Sequence, residues 1–131
     1  MVEEIVNAHI EAMRDSVTNY AHLANRNLDP ALGFDRTHPY AKVARVYAGD
    51  TPISLTNQFM EELDGLRTNL VERLASGELT PTDLDREMRD FVNNYHQLYS
   101  NSPDISVHTF FHFLPVDYSI RIRDLRKHGH C

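Results

Sequence analysis

Residues 102–123 read SPDISVHTFFHFLPVDYSIRIR. Whether they wind into helix or fold back as a hairpin decides between an all-α chain and a mixed one. Tyr118, Ile120 and Ile122 alternate with Ser119, Arg121 and Arg123, and Ile, Val, Thr and Phe suit a pleated surface. The start signal opposes a strand. Ser102, Pro103 and Asp104 fit the cap and the first two positions of a helix, because proline there forfeits no hydrogen bond and the cap oxygen can accept from an orphan N–H. Val107, Phe111 and Leu114 then keep helical spacing. The expectation is a helix ending near Leu114 and, after Pro115, a second short helix carrying Tyr118, Ile122 and Leu125. A β-hairpin is the alternative.

The same punctuation recurs upstream. Asp29-Pro30, Thr51-Pro52 and Thr80-Pro81 each set a capping residue before a proline, and Asp83 stands three residues after Thr80 as in a capping box. Gly33, Gly49 and Gly77 mark stops, since glycine adopts the left-handed end of a helix cheaply. Between these marks Val6, Ile10, Met13, Val17, Tyr20 and Ala24 form one apolar stripe, predicting a helix over about 2–26. Phe59, Leu63, Leu66, Leu70 and Leu74 predict a second over about 52–76, and Leu84, Met88, Phe91, Tyr95 and Leu98 a third over about 81–100. A shorter helix is expected over 38–48, capped by Thr37. The short link from Gly77 to Thr80 makes the second and third long helices antiparallel neighbours. The fold class is therefore all-α: a single-domain bundle spanning 1–131, with three long amphipathic helices plus shorter ones.

The length of 131 residues suits one core without staples, and the only cysteine, Cys131, forms no internal disulfide. With no basic leader before an apolar run and no stretch near the roughly 20 apolar residues of a membrane span, a cytoplasmic location is expected. A formal charge of −6 disfavours general nucleic-acid binding, which usually needs a clustered basic face. Sign is unevenly distributed. Residues 119–131 hold Arg121, Arg123, Arg126 and Lys127 against Asp124, a formal +3, which leaves −9 for the rest. This basic C-terminal segment either complements a helix dipole or docks on an acidic surface, a second copy included.

Two constellations could carry chemistry. His108 and His112 stand one turn apart on a helix, as two imidazoles that share a metal do, and His96 or His9 would have to supply a third ligand. No cofactor is expected otherwise, and a metal held here would be zinc or another divalent transition ion. The tail donors His128, His130 and Cys131 read as a flexible end.

The boxes Glu61-Glu-Leu-Asp64 and Glu87-Met-Arg-Asp90 loosely resemble the magnesium-binding boxes of all-helical nucleotide pyrophosphohydrolases of the MazG type. That resemblance implies Mg²⁺ held against a triphosphate. Helical geometry turns Glu61, Asp64 and Asp90 away from their apolar stripes, and Asp85 with Arg89 forms an ordinary i,i+4 surface pair. No phosphate-cradling glycine loop and no framed nucleophile occurs. Catalysis is not the expectation. With six Phe and six Tyr, several of them (Phe34, Tyr40, Tyr47, Phe110, Phe113) in short segments, the surplus aromatics predict an interface. The expected role is a binding or regulatory module that acts as a homodimer or with a protein partner.

Overall fold

The computed structural model describes residues 1–28, 53–103 and 105–129, and among them every regular element is helical. Four long helices alternate in direction: α1 (Val2–Leu28), α2 (Ile53–Ala75), α3 (Leu84–Gln97) and α4 (Ile105–Lys127). The expected helix over 38–48, the caps at Asp29 and Thr51, the stops at Gly33 and Gly49, and Phe34, Tyr40, Tyr47 and Asp104 lie outside the described residues, while Ser102 and Pro103, expected as the cap and first position of the last helix, precede its observed start at Ile105.

Residues 105–127 form one helix that runs through Pro115, in place of the expected pair of short helices or the hairpin. The sequence contains the reason. Val107, Phe111 and Leu114 before the proline and Tyr118, Ile122 and Leu125 after it continue one another in steps of four and three, so a single face reaches the core only if the helix is unbroken. Proline in a helix interior costs about 3 kcal/mol. Burial of side chains such as Tyr118 and Ile122, at about 1.5–3 kcal/mol each, exceeds that cost. Parity excludes the strand: Ile120 is 50% exposed whereas Ile122 is 2%, although a strand would turn both to one side.

The other stripes pack inward as their spacing requires. Val6, Ile10, Met13, Val17 and Tyr20 of α1 are buried, as are Phe59, Leu63, Leu70 and Leu74 of α2 and Leu84, Met88 and Tyr95 of α3. Leu98 is a correction. Helix α3 ends at Gln97, one residue short of it, and Leu98 is 75% exposed, whereas Val92, outside the expected stripe, is fully buried. Phe110 and Phe113 are corrections too, for both are buried. Phe59 meets Phe110 edge-on at 5.9 Å and Tyr20 meets Phe113 at 5.3 Å, so these aromatics fill the bundle rather than face a partner.

Between α2 and α3, Gly77 adopts φ +85 and its N–H reaches the Leu74 carbonyl, ending α2 as expected. Pro81–Asp83 then form a 3₁₀ turn that leads into α3. The Thr80 N–H donates to Asp83 Oδ2 at 2.8 Å, and this bond holds the Asp83 carboxyl below its usual range. Helices α2 and α3 are antiparallel and meet through long side chains: Arg73 bonds Glu87 at 2.6 Å near the turn, and Phe59 lies edge-on to Tyr95 at the far end.

Candidate functional site

Antiparallel packing of α3 on α4 brings together the histidines that the sequence singled out. His96 Nε2 lies 2.9 Å from His108 Nδ1, and the His96 and His112 rings stand edge to face at 5.3 Å. Stacking on Phe111 at 5.0 Å fixes the plane of His96. His108 Nε2 lies 2.9 Å from the Ser102 carbonyl, which only accepts, so the neutral ring carries its proton on Nε2. His108 Nδ1 therefore presents a lone pair to His96. Burial, then the neighbouring His112 and His108, push His96 below the ordinary histidine value. As the side chains are placed, no group of three or more His, Cys, Asp or Glu among the described residues could hold a metal ion.

His9, the other candidate third ligand, belongs to a different cluster about 15 Å along α4, ten residues at 1.5 Å each. Its Nδ1 lies 2.7 Å from the Tyr118 hydroxyl and 3.5 Å from Asp85 Oδ1. Arg126 closes the chain with a 2.7 Å bond to Asp85 Oδ2. Burial lowers His9 despite the opposing charge of Asp85, and burial with Asp85 close by raises the Tyr118 phenol. Asp85 is thus engaged by α4 and α1, not by Arg89 as an i,i+4 pair. Spacing within α3 alone hides this, because Arg126 comes from a helix 41 positions later in the sequence.

The acidic boxes do not converge. Asp64 pairs with Arg14 of α1, Glu87 with Arg73, and Glu61 and Asp90 are exposed. Each box is spread between solvent and a cation that neutralises it, and no group of carboxylates that could hold a metal forms among the described residues.

The C-terminal half of α4 is flanked by two grooves of opposite sign. On the α3 side, a cleft of ≈ 450 Å³ is lined by Arg89, Arg123, Arg126 and Lys127 with Asp85, four cations against one carboxylate. On the α1 side, one of ≈ 480 Å³ is lined by Glu11, Asp15 and Asp124 with Arg121, three carboxylates against one cation. Outward from the helix, between them and toward its N-terminal end, Val116 and Ile120 stand half exposed. Arg89 is the contribution that a reading of the tail by itself misses. It reaches the cleft only because α3 packs on α4.

No family model, curated protein or solved structure matches this chain. Among the described residues no helix is long and apolar enough to cross a membrane.

Proposed function

We propose that the protein is an interaction module that pairs with a second copy of itself through the outward face of α4. The observation that carries this is the placement of opposite-signed grooves on the two sides of one helix, at the same height, beside the apolar pair Val116 and Ile120. Each copy offers both the basic edge and the acidic edge its partner needs.

Symmetry selects the arrangement. A two-fold axis parallel to α4 lays the helix beside its copy in the same direction and turns the left edge of one onto the right edge of the other, so that basic meets acidic twice. An axis perpendicular to the helix gives antiparallel packing, which sets each groove against its own kind or leaves both unpaired. Like charges opposed across an interface cost binding energy, so the parallel pair is favoured. A protein partner with an acidic face is the competing occupant of the basic cleft.

Sedimentation at micromolar concentration should show a dimer that weakens as salt rises from about 0.1 to 1 M, where the Debye length shrinks from ~10 to ~3 Å. Strictly monomeric behaviour at about 100 µM would leave only a partner other than a second copy. Orientation is read by cysteines placed singly at Val116 and Ile120 with Cys131 changed to Ser. In a parallel pair both positions meet their own copies and both should cross-link on oxidation. Cross-linking at one position alone marks an antiparallel crossing and rejects the arrangement.

A further inference from the structure

The His96, His108 and His112 cluster has no role in self-association as proposed, yet it is built with more care than a surface group requires. Two imidazole nitrogens from different helices already lie 2.9 Å apart, with nothing but a proton between them. We infer that His96, His108 and His112 bind one divalent transition-metal ion of the zinc class, with His96 Nε2, His108 Nδ1 and a nitrogen of His112 as ligands.

Geometry carries the first two ligands. With Zn–N bonds near 2.0–2.1 Å, two imidazole nitrogens on a tetrahedral ion stand about 3.3 Å apart and their ring centres about 5 Å apart. The His96 and His108 ring centres are 5.2 Å apart, and their nitrogens need to separate by only a few tenths of an ångström. His108 already has the orienting contact that metal-binding histidines use: the ring nitrogen pointing away from the site donates to a backbone carbonyl, here that of Ser102. This bond fixes the tautomer that leaves Nδ1 open.

The third ligand has to turn. His112 lies one helical turn after His108, with its ring centre 5.3 Å from that of His96, and it is exposed, so rotation about its side-chain bonds meets solvent rather than core. The same exposure leaves a fourth position to water, as in open three-histidine sites. All three donors are neutral nitrogens. Mg²⁺ and Ca²⁺ prefer oxygen, which selects zinc, nickel, cobalt or copper instead.

Binding moves one proton within a ring. In the metal-free pair His96 Nε2–H donates to His108 Nδ1, so coordination through His96 Nε2 transfers that proton to His96 Nδ1.

Calorimetric titration of zinc tests the site in the full chain carrying His128→Gln, His130→Gln and Cys131→Ser, which removes the tail donors. One ion per chain is expected, with affinity falling at least about tenfold in each of His96→Gln, His108→Gln and His112→Gln. The exposed His112→Gln change is decisive, since it removes a ligand without touching the core, and far-ultraviolet circular dichroism checks that each variant is folded. Nitrogen NMR should show the His96 proton moving from Nε2 to Nδ1 on zinc addition. No binding once the tail donors are gone, unchanged affinity in His112→Gln or His96→Gln, or half an ion per chain would each overturn the site.

Discussion

The Tyr118 hydroxyl lies 2.7 Å from His9 Nδ1 across 109 residues of sequence, where both side chains are buried. It joins the start of the first helix to the middle of the last. The same hydroxyl lies 3.4 Å from Asp85 Oδ1, so α1, α3 and α4 meet at one polar point inside an otherwise apolar contact.

Removing that hydroxyl should cost more than its size suggests. Tyr118→Phe keeps the ring in place but leaves the buried His9 Nδ1 only the longer 3.5 Å contact with Asp85 Oδ1, and a poorly satisfied buried polar group costs up to about 1–3 kcal/mol. The melting temperature should fall by several degrees, since 1 kcal/mol is worth roughly 2–6 °C in a domain of this size. The double variant Tyr118→Phe with His9→Leu, which removes both partners, should recover part of the loss. Equal melting temperatures for Tyr118→Phe and the parent would show that the bond contributes nothing.

Stability should decline on mild acidification, with His9 contributing. Burial depresses its native pKa, helped by Arg126 and opposed by Asp85, while the unfolded ring keeps a value near 6.5. Below that value the unfolded chain takes up protons that the native state refuses. The stability is therefore fully present above about pH 6.5 and is lost as the pH falls through the depressed native value. His96 acts in the same direction. Urea midpoints measured at pH 7.5 and 5.5 should differ, and the difference should shrink in His9→Asn. A midpoint that is flat or rises toward pH 5.5 contradicts this.

Pro115 offers a gain. It lies inside α4, where it removes the hydrogen bond to the Phe111 carbonyl and crowds the preceding turn. Pro115→Ala restores the donor and should raise stability, by up to about 3 kcal/mol if the helix relaxes fully. A hairpin turning at Pro115 would lose its turn residue and be destabilised, so the sign of the change separates the two folds.

How much was legible in the sequence varies with how local each signal is. The stripes of α1, α2 and α3 stood out because each buries a single face at regular spacing, and Gly77 marked an end because its left-handed φ is costly for other residues. Pro115 misled, because its local cost is visible in the sequence while the compensating burial of Tyr118 and Ile122 depends on other helices packed against α4. Leu98 kept the α3 spacing but fell beyond the last turn, where periodicity no longer determines direction. His108 and His112 were recognisable as a pair, and His96 was a candidate without a position. Only the antiparallel contact of α3 and α4 places it at 2.9 Å from His108. Asp85 looked like the partner of Arg89 because i,i+4 spacing is what a sequence displays. The bond to Arg126 is tertiary.

The contrast between Ile120 and Ile122 gives the most direct test of α4. Both are isoleucines, two residues apart, and a strand would give them the same environment, whereas on the helix they differ by about 200° and one faces solvent. Ile122→Ala should cost about 2–5 kcal/mol, the loss of a buried branched side chain together with the cavity it leaves. Ile120→Ala should remain within about 0.5 kcal/mol in the dilute monomer. If α4 pairs with its copy, the order reverses for association. Ile120→Ala should then weaken the dimer in sedimentation at micromolar concentration while leaving monomer melting unchanged. Equal losses of monomer stability at the two positions would restore the hairpin and remove the α4 face on which the pairing depends.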